Sequence, residues 1–246
     1  MYIKVGVTTS VLDQRNWFDQ LNKLPSRTIE IGGRSARLFF DPGWIEKIGK
    51  KIAGYDLSFH SGTVKIFLSE EQYTQAEIER LKAEIVVCNK WKIKELVFHL
   101  KHEKLEKKEI SQLQEIVKFA QSYDVELLYE ANGCLVADVT LDLLEKFPDI
   151  NYNLDLGHLN VGIETKRFGH DLNSFLKKID KRTTYVHAHN NQGKDSHTAL
   201  KDGSLDWKHV LKELHHVKKI ITETRTIEDN QSDIDDINKF IKESAK

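Results

Sequence analysis

The stretch TTYVHAHNNQGKDSH, residues 183–197, joins a short apolar run to a loop crowded with side chains that can bind metal ions. Its first four residues, Thr183 to Val186, are mostly β-branched or aromatic, which predicts a buried β-strand. The remaining eleven residues contain three histidines, one aspartate and one glycine. A strand that ends in such a loop is typical of a parallel β/α fold, because these folds carry their functional groups at the carboxyl ends of strands.

The same pattern recurs along the whole chain. Eight apolar runs read as strands: Ile3–Val7, Thr28–Ile31, Asp56–Phe59, Glu95–Phe98, Val125–Tyr129, Ile150–Leu154, Thr184–Val186 and Lys219–Ile221. Between them lie amphipathic helical patterns, clearest in residues 70–91 and 107–124. The alternation predicts an α/β protein, a single (β/α)8 TIM barrel that spans residues 1–246 as one domain. A doubly wound open sheet is the alternative, but the turn after the first run, VTTSVLD, lacks the glycines of a phosphate-binding turn.

The composition argues against several classes of protein. With 37 basic and 38 acidic residues, the chain lacks the general positive charge of proteins that grip nucleic acid. The two cysteines, Cys88 and Cys134, form no metal or redox spacing and fit a reducing compartment. The first residues, MYIKVGVTTS, show no signal-peptide pattern, and no segment reaches the ~20 apolar residues of a membrane span. We therefore expect a cytoplasmic protein with no membrane partner.

Each of the last six runs closes on a side chain that can bind a metal ion. The endings are LSFH at His60, LVFH at His99, LLYE at Glu130, NLD at Asp155, YVH at His187 and ITE at Glu223. Successive candidates are 25 to 39 residues apart, about one strand–loop–helix–loop unit. Because the carboxyl ends of all barrel strands meet at one face, we expect these six side chains to share one bowl.

Three further candidates, His158, Asp195 and His197, lie in loops at the same rim. A single histidine at a strand end is usually a satisfied polar group, but several carboxylates in one low-dielectric bowl repel one another unless cations compensate them. Nitrogen and carboxylate ligands without thiolates favour zinc, manganese or iron over calcium or magnesium. The sequence therefore predicts a divalent-metal site at the C-terminal face of the barrel.

At these residues the chain resembles the xylose isomerase-like TIM-barrel superfamily, which includes endonuclease IV (AP endonuclease family 2) and many sugar isomerases and epimerases. The most specific element is Asp155-Leu-Gly-His158, followed by His187-Ala-His-Asn and Asp195-Ser-His197. All nine zinc ligands of endonuclease IV have a matching residue here. The resemblance implies up to three Zn²⁺ ions, held by His60, His99 and Glu130, by Glu130, Asp155, His187 and Glu223, and by His158, Asp195 and His197. It makes His189 a polar support residue with a possible contact to metal or substrate.

Two catalytic functions follow from the resemblance, and we give slight preference to the first. In the first, the trinuclear zinc site hydrolyses a phosphodiester, such as abasic-site DNA. In the second, one Mn²⁺, Co²⁺ or Zn²⁺ ion serves a sugar or sugar-phosphate isomerase or epimerase, in which Glu130 and Glu223 exchange a carbon-bound proton. The predicted substrate-binding residues are Arg225, His189 and Lys194. A metal-binding barrel without catalysis ranks last, because a rim assembled from six strands is open, unlike a compact structural site.

Departures from endonuclease IV favour the sugar enzyme. That family has an arginine inside the third-metal pair, where this chain has Ser196. The loop after His60 reads SGTVK and offers no aromatic side chain to insert into DNA. The second strand, TIEIGG with Glu30, is more similar to the sugar isomerases. The sequence leaves the substrate, the native metal and the oligomeric state open.

Overall fold

Eight parallel strands close into a barrel in sequence order, and the first strand pairs with the eighth. The computed structural model describes residues 3–32, 41–63, 66–67, 71–101 and 103–244. The strands are β1 Lys4–Thr8, β2 Thr28–Ile31, β3 Asp56–His60, β4 Glu95–His99, β5 Glu126–Glu130, β6 Asn151–Asp155, β7 Thr183–Ala188 and β8 Lys219–Thr222. The predicted (β/α)8 barrel is confirmed, and each predicted strand lies within one or two residues of the observed one.

Helices surround the barrel. Those in the described ranges are α1 Pro42–Ile52, α2 Glu71–Lys90, α3 Lys107–Ser122, α4 Ala137–Lys146, α5 Leu156–Glu164, α6 Leu172–Ile179, α7 Trp207–Lys212 and α8 Ile227–Ser244. Two of them, α5 and α6, separate β6 from β7. In the described part of the chain, no helix combines the length and the apolar character that crossing a bilayer demands.

The connection between β1 and β2 departs from the predicted strand–helix repeat, because it contains three short 3₁₀ turns and no α-helix. Local hydrogen bonds from side chains replace helical ones. The Asp13 carboxylate accepts from the Arg15 backbone N–H at 3.0 Å. The Gln14 amide donates to the backbone oxygens of Thr9, Ser10 and Leu12 at 2.7–3.2 Å. Buried Trp17 and Phe18 then fix the segment against the core.

The barrel has two apolar layers. A small cluster, Val97, Leu128, Tyr185 and Ile221, fills the space inside the strands, and a much larger cluster lies between the strands and the surrounding helices. Parallel register places the strand ends at one level, since His99 pairs with Glu130 and Asp155 with His187. The inner cluster therefore forms the floor beneath the polar side chains that end the strands.

Candidate metal centre

Four predicted ligands meet around one ring nitrogen at the carboxyl end of the barrel. His187 Nδ1 lies 2.9 Å from Glu130 Oε2, 3.5 Å from Glu223 Oε2 and 3.9 Å from Asp155 Oδ2. Ligands of a tetrahedral ion at about 2.0–2.1 Å stand roughly 3.3 Å from one another. Ligand atoms of Glu130, Asp155 and His187 all lie within 4.8 Å of one another, whereas Glu223 forms such a group with His187, His60 and Glu30. One imidazole nitrogen and three carboxylate oxygens also form a donor set that suits zinc or manganese. The residues present therefore fit a divalent ion.

Glu30 on β2 orients the central histidine. Its buried carboxylate accepts from His187 Nε2 and from the Tyr185 hydroxyl, each at 2.9 Å, and it lies 3.2 Å from His60 Nδ1. Because Nε2 of His187 is engaged by Glu30, Nδ1 is the nitrogen that faces the other carboxylates. The sequence analysis used Glu30 only as a family feature and missed this role. The available signal was a carboxylate inside the apolar run TIEI.

On one flank of the centre, His60 and His99 lie beside Glu130. The Nε2 atoms of the two histidines are 2.7 Å apart, and each lies 3.9–4.0 Å from a Glu130 carboxylate oxygen. Burial lowers the pKa of both rings, but the charges of Glu30 and Glu130 raise the pKa of His60 to about 9. Burial lowers the pKa of His99 to about 4. The first flanking set of predicted ligands therefore comes together beside the central histidine.

On the other flank, Asp195 joins two histidines. Its carboxylate oxygens lie 3.5 Å from His158 Nε2 and 3.4 Å from His197 Nε2. The second nitrogen of each ring approaches a backbone carbonyl, that of Ala131 for His158 at 2.8 Å and that of Glu223 for His197 at 2.9 Å. These carbonyls fix the tautomers so that both Nε2 atoms face the carboxylate. Asp195 thus contacts both histidines of the third predicted set. The metal-sized groups among the described residues, however, join His158 with Asp155 and His189, and His197 with His189 and Glu223.

The remaining predicted residues take different positions. His189 is buried, and its Nε2 lies 3.1 Å from Asp155 Oδ2 while its ring stacks on His197 with centroids 4.0 Å apart. It supports a ligand and does not line the cavity above the centre. Arg225 does line that cavity, whereas the exposed Lys194 does not. A substrate contact by His189 or Lys194 stays a prediction.

The carboxylates and histidines of the centre stabilise one another's charged forms. Burial on its own raises the pKa of a carboxyl. In Glu130 the charges of His99 and His187 outweigh burial and hold the pKa well below its usual range. Similarly, burial lowers the pKa of His187, but Glu223, Glu30 and Glu130 raise it well above the ordinary value. These groups therefore favour one another's charged forms, and a bound cation would take the place of protons on the histidines.

A cavity of about 1150 Å³ opens above the centre. Glu130, Glu223 and His158 reach its wall, whereas Asp155 and His187 lie deeper and do not line it. The volume is slightly above the roughly 300–1,000 Å³ typical of small-molecule sites. The two glutamates are thus positioned to touch a bound molecule as well as a metal ion.

Comparisons with known proteins agree with this architecture. The family model described as a xylose isomerase-like TIM barrel matches residues 18–243. A D-tagatose 3-epimerase-like protein has 17% identity and a TM-score of 0.79, over 99% of this chain and 98% of its own. L-ribulose 3-epimerase has 14% identity and a TM-score of 0.74, over 99% of this chain and 96% of its own. The IolI protein with a bound zinc atom has 15% identity and a TM-score of 0.73, over 98% of each chain. At these identities the likeness shows a shared fold. No curated protein matches the sequence significantly.

Proposed function

This chain belongs to the xylose isomerase-like TIM-barrel family, and from that membership we propose that it is a metal-dependent isomerase or epimerase of a ketose-type sugar. Membership confirms the prediction of an enzyme. The observation that carries the sugar chemistry is the position of Glu130 and Glu223. Both carboxylates approach the same nitrogen of His187, and both line the cavity. The names of two similar structures, both 3-epimerases, support this choice.

The reaction needs one group to remove a proton from carbon and another to return it. Glu130 is anionic at neutral pH, because His99 and His187 outweigh its burial and depress its pKa, so it can accept a proton. Glu223 reaches the same cavity from β8 and would act as the second acid–base group. A divalent ion held by Glu130, Asp155, His187 and Glu223 would, when bound, polarise the carbonyl next to that carbon. His158, also in the wall, would donate to a sugar oxygen.

Phosphodiester hydrolysis is the second candidate, and one observation favours it. Ligand atoms of His60, His99 and Glu130 lie within 4.8 Å of one another, as one flanking ion of an endonuclease IV-like site would require. On the other flank, Asp195 contacts both His158 and His197. The sequence analysis gave this function slight preference. The comparisons support the sugar enzyme better, so the order of the two candidates is reversed.

Exchange of a carbon-bound proton tests the proposal. Metal-loaded protein is incubated with a panel of ketoses in heavy water, and deuterium on the carbon beside the carbonyl is followed by NMR. We expect exchange in the wild type and in the control Glu115→Gln, which changes an exposed glutamate on α3. Glu130→Gln and Glu223→Gln should abolish it. Cleavage of an abasic-site duplex, with no deuterium entering any ketose, would instead establish the hydrolase.

A further inference from the structure

The carboxylate of Asp155 is held at both of its oxygens. Oδ1 accepts from the His158 backbone N–H at 2.7 Å and so caps the first turn of α5. Oδ2 lies 3.1 Å from His189 Nε2 and 3.9 Å from His187 Nδ1. Because the cap occupies Oδ1, Oδ2 is the oxygen that faces the metal centre. The orientation of this ligand therefore depends on the peptide that supplies the His158 N–H.

That peptide, between Gly157 and His158, is held at its other end by Asn191. The Asn191 Nδ2 donates to the Gly157 carbonyl oxygen at 2.9 Å, and both residues are buried. A hydrogen bond to the carbonyl polarises the peptide and strengthens its N–H as a donor. It also limits rotation of the peptide plane. Asn191 thus fixes the direction of the N–H that caps Asp155.

The other end of the Asn191 side chain holds the loop that follows β7. Its Oδ1 accepts from the Gly193 N–H at 2.9 Å and from Asn160 Nδ2 at 3.0 Å. The Gly157 oxygen can only accept and the Gly193 N–H can only donate, so the Asn191 amide has one orientation. Gly193 has a φ of 82°, in the left-handed region that glycine adopts without strain, and it turns the chain toward Asp195.

One buried amide therefore joins two segments that carry predicted metal ligands. Its nitrogen contacts the turn between Asp155 and His158, and its oxygen contacts the loop that continues to Asp195 and His197. If Asn191 served only to shape that loop, the oxygen would be sufficient. The contact from the nitrogen to Gly157 points to a second role.

We propose that Asn191 is a positioning residue for the metal centre, and that it acts through the Gly157–His158 peptide to set which oxygen of Asp155 is offered to a metal ion. This role presupposes the metal site that the proposed function uses, and so rests on it, whatever the substrate is. Partners that orient a ligand directly change metal affinity about 10- to 100-fold. Asn191 stands one hydrogen bond further from the ion, so we expect an effect of about tenfold.

Three variants separate the two ends of the Asn191 side chain. Asn191→Asp keeps an oxygen where Gly193 and Asn160 donate, but replaces the donor to Gly157 with a second acceptor. Asn191→Ala removes that donor without introducing a buried charge, and so gives a second reading of the same contact. Asn160→Ala removes another buried amide of the network and leaves the bond from Asn191 to Gly157 in place.

Cobalt reports both the affinity and the geometry of the centre. Each protein is titrated with Co²⁺ against a competing chelator, its visible absorption spectrum is recorded, and the stability of the metal-free form is measured by urea unfolding. We expect both Asn191 variants to bind Co²⁺ about tenfold more weakly than the wild type and to show a changed spectrum. Asn160→Ala should lose stability, yet bind Co²⁺ within about twofold of the wild type and keep its spectrum.

Thr183→Val is the stability control. It removes one buried hydrogen bond, from the Thr183 hydroxyl to the Ile179 backbone oxygen at 3.0 Å, at the end of β7 away from the metal centre. Its Co²⁺ affinity and spectrum should match those of the wild type. Wild-type affinity and spectrum in both Asn191 variants would confine Asn191 to shaping the loop and refute the positioning role. Equal losses in Thr183→Val or Asn160→Ala would refute it as well, because Co²⁺ binding would then follow general stability.

These outcomes are distinct from failure of the proposed function. Deuterium exchange into a ketose by the wild type, together with unaltered Co²⁺ binding in the Asn191 variants, would retain the sugar chemistry and remove the positioning role. Absence of exchange on every ketose, with Co²⁺ binding weakened only in the Asn191 variants, would do the reverse.

Discussion

Glu30 determines which nitrogen of His187 is offered to a metal ion. Its carboxylate accepts from Nε2 at 2.9 Å, and this leaves Nδ1 facing Glu130, Asp155 and Glu223. We expect Glu30→Gln to weaken metal binding about 10- to 100-fold, because the charged acceptor that raises the basicity of the histidine is lost. Zinc affinity measured against a competing chelator checks this prediction.

The matched variant for Glu30 is Tyr185→Phe. It removes one hydrogen bond to the Glu30 carboxylate and keeps the contact between that carboxylate and His187. We expect a smaller loss of zinc affinity than in Glu30→Gln. If both variants bound zinc as the wild type does, Glu30 would have no part in orienting the ligand.

Gly157 makes room for His189, the residue that supports Asp155. A Cβ atom at position 157 would stand 1.9 Å from the ring carbon Cε1 of His189, so the ring must move and its 3.1 Å contact with Asp155 is lost. We expect Gly157→Ala to cost about 1–3 kcal/mol of folding stability and to weaken metal binding. Denaturant unfolding and zinc titration measure the two effects.

The double variant Gly157→Ala with His189→Ala separates packing from ligand support. Removing the ring relieves the collision, so stability should return toward that of His189→Ala alone, while the contact with Asp155 stays absent. Full recovery of zinc affinity in the double variant would show that His189 does not position Asp155.

Single residues were predictable where one simple rule applied. The side chain that closes an apolar run lies at the carboxyl end of a strand, and this rule found His99, Glu130 and Asp155. It missed Glu30, which stands one residue before the end of β2 and meets His187 only through barrel closure. Hydrogen-bond partners that are 157 residues apart in sequence depend on which side chains face inward, and the apolar pattern does not encode that pairing.

Helix α8 holds the loop after β7 through a buried carboxylate. Both oxygens of Asp233 accept from the backbone N–H of Leu200 at 3.1–3.2 Å. Burial, with neighbouring Asp236, Asp229 and Asp202, raises the pKa of Asp233 to about 7. The folded protein therefore binds this proton more tightly than the unfolded chain, whose aspartates titrate near 4. Stability from this group is complete below about pH 4 and is lost as the pH rises through 7.

Asp233→Asn should remove that pH dependence, because the amide oxygen can still accept from Leu200 and carries no charge. Relative to the wild type, we expect the variant to gain about 1–2 kcal/mol of stability between pH 5 and pH 8. This value allows for partial screening of the Asp233 charge by solvent. Urea unfolding at both pH values measures the difference. Parallel stability curves for the two proteins would contradict the assignment, and the exposed neighbour Asp235→Asn serves as the control.

Regular elements followed from sequence more completely than irregular ones. Strands and long helices carry a periodic apolar pattern, and α3, for example, was expected at residues 107–124 and is observed at Lys107–Ser122. The β1–β2 connection lacks such a period. Its structure depends on side-chain contacts to backbone by Asp13 and Gln14 and on the burial of Trp17, all of which compete with a helix.

The number of metal ions bound per chain distinguishes the two functions. The central site has three carboxylates and one imidazole of its own, whereas the His60–His99 flank must share Glu130 and the other flank has only Asp195. A second or third ion would therefore find less compensating charge and would approach another cation closely.

We expect one tightly held divalent ion per chain after dialysis against a chelator. Elemental analysis should find it absent from Glu130→Gln and retained in His197→Ala, because His197 Nε2 faces Asp195 and its Nδ1 bonds to the backbone oxygen of Glu223. Three ions in the wild type, more than one of them lost in Glu130→Gln and a single one in His197→Ala, would contradict the mononuclear site and restore the hydrolase as the better candidate.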